Sequence, residues 1–176
     1  LMPFFQKYFK GMAITSEITG DDRLIWGLRN RTYQMAVLHE RPEAEDIFCR
    51  PCMTERLSVT LPADHPLASG ETVSFRDLDG ISILAHGGAG FWIELCKENL
   101  KGAKLLIQDS MDDLSELVDA SSLPVFNSDR AVKPRDVSGG SVTIPIADKA
   151  AQVTYYFACL NSEKERYSAV FNSVFL

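Results

Sequence analysis

No stretch of this chain approaches the roughly 18 consecutive apolar residues that a membrane-crossing helix needs, although 45% of its 176 residues are apolar. A helical span is therefore excluded. Cysteine is scarce too: the four thiols, at 49, 52, 96 and 159, are too few and too unevenly spaced for a disulfide scaffold. Positive charge is in deficit, with a net charge of −6. Residues 65–144 hold seven Lys/Arg against twelve Asp/Glu, so they offer no basic patch of the kind that displaces counterions from nucleic acid. Catalytic signatures are missing as well. No G-x-S-x-G places a serine on a strand-to-helix turn, and no G-x-x-x-x-G-K-[ST] is present. The glycines at 87, 88 and 90 lack the full dinucleotide spacing and its distal acid. The paired acids Asp112-Asp113 open a helix, where a solvated face accounts for them. No cofactor and no metal ion is expected, and no enzymatic activity.

What is present is organised around Leu57–Trp92. Leu57, Val59 and Leu61 alternate with Ser58, Thr60 and Pro62, the period of a strand; Pro62 and Pro66 then stop the sheet, having no N–H to give a ladder. The run Ile81–Leu84 predicts a second strand, ending on His86-Gly87-Gly88-Ala89-Gly90. Helical spacing follows, with Phe91, Leu95 and Cys96 on one side. A strand that ends in glycines and opens a helix holds small ligands well, because the helix start leaves N–H groups without partners and glycine admits a close approach.

In chain order, residues 1–10 carry a helical stripe (Phe4, Phe5, Tyr8, Phe9) ended by Gly11. Because the chain opens in what reads as mid-helix, residues ahead of Leu1 are expected, and no signal peptide is seen. Ala13–Ile18 predicts a short strand. Gly20-Asp21-Asp22 caps a helix through Asn30, with Leu24, Ile25 and Leu28 inward. Met35–Leu38 is the next strand, and this alternation indicates a parallel sheet whose ligands sit beyond the carboxyl ends of the strands. Those ends are Thr19–Asp21 and His39. A polar loop, residues 40–48, follows, and after it comes Cys49-Arg50-Pro51-Cys52. Its redox reading has Arg50 lowering a thiol pKa; its plain reading is a turn entering the next strand. Further strands are predicted over Ala103–Gln108, Leu123–Phe126, Val142–Ile146 and Gln152–Leu160. Ser110 caps a helix with Leu114, Leu117 and Val118 inward. Asn127–Gly140 reads as loop. Asn161 or Ser162 caps a last helix whose face is Tyr167, Val170, Phe171, Val174 and Phe175.

The blocks Leu57-Ser58-Val59-Thr60-Leu61-Pro62-Ala63-Asp64-His65-Pro66-Leu67-Ala68 and Val73-Ser74-Phe75-Arg76-Asp77-Leu78-Asp79-Gly80 stand in a register that resembles the effector-binding domain of LysR-type transcriptional regulators. Phe5–Gly11, Leu28–Leu38 and Cys49–Leu57 extend the resemblance over most of residues 1–120, with Gln34 where the family customarily has Asp. Residues 119–124 lack the glycines many members carry there.

The resemblance implies an α/β fold like type 2 periplasmic binding proteins: two α/β lobes joined by two crossing segments, with a small-molecule effector between them. Lobe one would be residues 1–62 plus 145–176, lobe two residues 63–144. The family's DNA-binding helix-turn-helix domain is absent from this chain, so DNA would be reached only through that domain. A cytoplasmic homodimer or tetramer with no membrane contact is implied.

The effector, a carboxylate or amino acid, would meet the turn His86, Gly87, Gly88, Ala89 and Gly90. Phe91 and Trp92 would form an aromatic wall, although Trp92 equally suits the core. From lobe one would come Thr19, Gly20, Asp21 and His39, with Asp21 read first as a helix cap and His39 equally as a plain surface residue. Asn127 and Ser128 would add hydrogen bonds. His65 is expected to be structural. Two alternatives stay open: a solute-binding protein of the same fold, and a thiol oxidoreductase using Cys49 and Cys52.

Overall fold

A computed structural model describes residues 6–11, 13–130 and 140–172. Its contacts divide the chain into two compact units: unit one runs to Thr54 and resumes at Thr154, and unit two is Glu55–Val153.

In unit one, residues 6–8 are helical and Gly11 has φ +78, the left-handed conformation that ends a helix. Helix α1 is Asp21–Arg29, with Gly20 at its N-cap and Asp21 and Asp22 in its first turn, where the dipole favours acids. Leu28 is fully buried, and Leu24 and Ile25 pack beside it. Strand β1 (Ala36–Leu38) lies antiparallel to β7 (Gln152–Leu160), with Val37 opposite Phe157. The order is β1–β7–β2, where β2 is Ile47–Pro62.

Alternation along β7 separates two cores. Ala158 joins Leu28, Ala36, Leu38 and Ile47 on one face, while Phe157 and Cys159 meet Tyr167, Val170 and Phe171 on the other. The Arg29 guanidinium holds Asp46 at two points, Nε to Oδ2 at 2.7 Å and Nη2 to Oδ1 at 3.0 Å, which ties the end of α1 to the start of β2.

In unit two, Leu57–Pro62 of β2 pairs antiparallel with both β5 (Val125–Ser128) and β6 (Ser141–Pro145). Strand β3 (Ser82–His86) runs parallel to β4 (Lys104–Gln108) and to β5. Helix α2 (Phe91–Asn99) covers one face, where Leu57, Val59, Leu61, Ile83, Trp92 and Cys96 are buried. Helix α3 (Met111–Ala120) covers the other through Leu114, against Leu84 and Val125. Pro62 ends β2 and Pro66 opens a short 3-10 turn, which His65 caps through its Nδ1, accepting from the Leu67 N–H at 3.2 Å. His65 is structural, as its place in the sequence suggests.

Several expectations are corrected. Residues 13–18 form no strand. Among the described residues no strand runs beside them, so their backbone has no ladder, and Ile18 is 96% exposed. The sheet is therefore mixed rather than parallel: β1 is antiparallel to its neighbour, and among the described strands β3 pairs parallel with β4 and β5.

Cys49-Arg50-Pro51-Cys52 lies inside β2, not in a turn. Pro51 is tolerated there because, among the described residues, this half of β2 has a neighbour on one side only, and a missing N–H on an open edge breaks no ladder. Helix α2 buries Trp92, Ile93 and Cys96, with Phe91 and Leu95 at the margin, and it ends at Asn99 rather than Gly102. The last helix, α4, is Ser168–Phe171 after a 3-10 turn at Asn161–Glu163. Val174, Phe175 and residues 131–139 lie outside the described residues.

The strand placement decides the thiol question. Positions three apart on a strand face opposite sides, and Cys49 packs with Leu28 and Ile47 while Cys52 packs with Phe157 and Cys159. Burial pushes the Cys49 thiol up, and it pushes Cys52 to about 11, Cys159 to about 11 and Cys96 to about 12. A redox pair needs adjacent sulfurs and a depressed pKa, and Cys49 and Cys52 have neither: they pack in different clusters and burial raises both thiols. A colorimetric thiol reagent at pH 8 is expected to react rapidly with fewer than one equivalent in the folded protein and with four after denaturation.

The Arg29 hydrogen bond and charge hold the Asp46 carboxyl below its ordinary value of 3.8. A group with a depressed folded pKa contributes stability above the unfolded value and loses it as pH falls through the folded one. Asp46→Asn is therefore expected to lower the melting temperature at pH 7, with the gap from the parent protein closing as pH drops below 3.8.

Candidate functional site at the strand ends

The candidate residues of unit two gather at the carboxyl ends of three parallel strands. His86 stands opposite Gln108, and the register that sets Leu84 beside Val125 carries Asn127 to the same end. Beyond β3 the chain makes a 3-10 turn over Gly87–Ala89 and then enters α2 at Gly90, with φ +59 and ψ −126. A side chain there would be strained whatever the space around it, which is why glycine ends this turn. The His86 imidazole lies so close over Gly88 that a β-carbon would overlap it, and the Asp109 carboxylate does the same at Gly87. Each glycine thus lets a polar side chain sit against the backbone.

The two helices that follow parallel strands start differently. Ser110 Oγ caps α3, accepting from the N–H groups of Asp112 at 3.2 Å and Asp113 at 3.3 Å. The N-cap of α2 is Gly90, which has no side chain to cap the helix. Its start therefore presents donors and the positive end of the helix dipole, with His86 and Asp109 beside it.

Trp92 is 5% exposed and belongs to the core. Its Nε1 is the buried side-chain polar atom without a partner among the described residues, and Phe91 packs on its ring at 4.6 Å between centroids. Asn127 donates from Nδ2 to Thr60 Oγ1 at 2.7 Å, and Thr60 Oγ1 lies 2.8 Å from Thr143 Oγ1. The Ser128 hydroxyl donates to the Glu55 carboxylate. These two residues already have partners across the sheet.

In unit one the structure brings Thr19, Gly20 and Asp21 to the start of α1 and His39 to the end of β1. Asp21 is the first helical residue rather than the N-cap, because its carboxylate turns toward β1. Oδ2 accepts from the N–H groups of His39 at 3.0 Å and Glu40 at 3.2 Å, and Oδ1 lies 2.9 Å from His39 Nδ1. Like α2, α1 has no side-chain cap.

Gln108 and Asp109 went unnoticed in the sequence, although they close a parallel strand and immediately precede the Ser110 cap. That position was the available signal. Among the described residues no three His, Cys, Asp or Glu side chains stand together as metal ligands, and no helix is long and apolar enough to cross a membrane.

A search of curated protein sequences finds no match. Among solved structures, the reduced OxyR regulatory domain of Pseudomonas aeruginosa superposes with a TM-score of 0.71 at 18% identity, covering 98% of this chain and 87% of that one. The Synechocystis PCC6803 CcmR regulatory domain, solved in complex with 2-PG, gives 0.68 at 13% identity, covering 98% and 86%. Full-length BenM carrying E226K gives 0.70 at 16% identity over 98% of this chain and 59% of that one. These likenesses establish the shared α/β fold. The family model described as the LysR substrate binding domain matches residues 1–170, and this chain therefore belongs to the LysR substrate binding domain family.

Proposed function

We propose that the chain is the effector-sensing part of a LysR-type transcription regulator and that the start of α2 is its principal ligand contact. The observation that carries this reading is the contrast at the strand ends: α3 is closed by its own Ser110, while α2 opens from glycines with no side-chain cap. An anionic group suits that opening. Asp109, held against Gly87, supplies an acceptor next to it. Together they favour an effector that carries both a carboxylate and a donor, an amino acid ahead of a simple acid. In unit one, taken by itself, Asp21 and His39 at the start of α1 offer the same pairing of donor and acceptor.

The domain works by binding rather than by catalysis. An effector that prefers one conformation shifts the population toward it by the difference in its affinities, and the regulator's homodimer or tetramer carries that shift to DNA through a helix-turn-helix domain outside residues 1–176. The setting is cytoplasmic. The register of the two sequence blocks, together with the family match, favours this reading over a solute-binding protein of the same fold.

A thermal-shift screen of amino acids and small carboxylates tests it. Ligand at a hundredfold excess over its Kd adds about 2.7 kcal/mol, on the order of 5–10 °C for a chain of this size. Asp109→Asn and His86→Ala are expected to reduce the shift from an amino acid by at least half. A ligand whose shift ignores both substitutions would place the binding site elsewhere.

A further inference from the structure

Away from the strand ends, unit one carries a hollow of about 170 Å³ that the effector reading does not use. Tyr33, Gln34, Leu160 and Tyr167 line it together with the charged side chains of Arg31, Arg166 and Glu163.

The lining charges are imperfectly matched. Two guanidiniums flank one carboxylate: Arg166 Nη1 lies 3.4 Å from Glu163 Oε2, and Arg31 Nη1 lies 3.6 Å from Oε1. Neither forms the close two-point pair that Arg29 makes with Asp46 at 2.7 and 3.0 Å. The side chains of Arg31 and Arg166 are 72% and 64% exposed, against 25% for Glu163. The lining therefore carries two guanidiniums against one carboxylate, in a chain whose overall charge is −6.

The parts are also held in place. Arg31 sits at φ +65, the one non-glycine residue in that region among those described, with its N–H on Leu28 O at 3.1 Å. Arg166 lies 5.5 Å over the Tyr167 ring. Tyr33 donates from its hydroxyl to Glu17 at 2.7 Å, and its ring fills the space a β-carbon on Gly27 would need. Two planar donors lining the same hollow as Tyr33, Leu160 and Tyr167 suit a carboxylate attached to a compact apolar body. The carboxylate meets the guanidiniums, and the body covers Tyr33, Leu160 and Tyr167.

We propose that this hollow is an accessory site for a small organic carboxylate, separate from the strand-end site and formed wholly within unit one. The test titrates isovalerate into this chain and follows the ring signals of Tyr33 and Tyr167 by NMR, with inorganic phosphate as a parallel arm. Isovalerate is expected to shift both rings saturably and phosphate only weakly. Arg166→Gln should weaken isovalerate about tenfold, the scale of one charge-assisted hydrogen bond. Glu163→Gln, which removes the competing carboxylate, should tighten it several-fold. His39→Ala and His86→Ala should leave it unchanged, so loss of the strand-end site and loss of this one are read separately. Circular dichroism verifies that each variant folds, and Arg31→Gln stands in for Arg166→Gln if the latter does not. The assignment is overturned if the rings do not shift, if phosphate shifts them as strongly, if Glu163→Gln fails to tighten isovalerate, or if the arginine substitution leaves its affinity intact.

Discussion

The alternation of side chains along β2 is the constraint on which both compact units rest. Over Leu57, Val59 and Leu61 every second residue is buried under α2, while Thr60 between them meets Asn127 and Thr143 on the opposite face. In the strand's first half the same period sends Ile47 and Cys49 to one core of unit one and Phe48 and Cys52 to the other. A shift of one residue would exchange every one of these faces. Removing that many apolar side chains from their cores and placing hydroxyls there costs far more than a domain's net stability, so the register is strongly specified.

From that register follows the geometry of the strand ends. Fixing Leu57–Pro62 fixes β5, and β5 fixes β3 and β4 beside it. The three parallel strands then finish together, and His86, Gln108 and Asn127 share one edge. What distinguishes the places on that edge is hydrogen-bond satisfaction. Ser110 meets the first amides of α3, Asn127 and Ser128 meet partners across the sheet, and α2 begins from a glycine N-cap that carries no side chain. The opening is thus defined by what its neighbours have already completed.

Charge in unit one divides into two arrangements of different quality. Arg29 and Asp46 form a close, two-point pair that fastens a helix to a strand. Arg31 and Arg166 share Glu163 at longer range, in a hollow that Tyr33, Leu160 and Tyr167 also line. The first pair satisfies both partners; the second leaves positive charge in the lining, and it is the longer distances and the exposure of the guanidiniums that mark the difference.

Much of this was legible in the residues themselves. The strand over Gln152–Leu160, the Ser110 cap, the glycine-tipped end of β3 and the helix from Asp21 all depend on local signals: β-branched and aromatic density, a short hydroxyl at a helix start, positive φ at glycine, acids in a first turn. The family too could be read from two sequence blocks in register. Other features depended on partners distant in sequence.

Ala13–Ile18 has the composition of a strand but no neighbour among the described residues, and a strand is a property of a pair. Cys49 and Cys52 look like a redox motif until β7 makes their segment a strand and sends them to opposite faces. Asp21 looks like a cap until β1 brings His39 within 2.9 Å of its carboxylate. Local sequence determined where the backbone could turn and which residues were apolar enough to be buried; only the tertiary pairing decided which polar groups found partners, because hydrogen bonds and burial across a sheet join residues far apart along the chain.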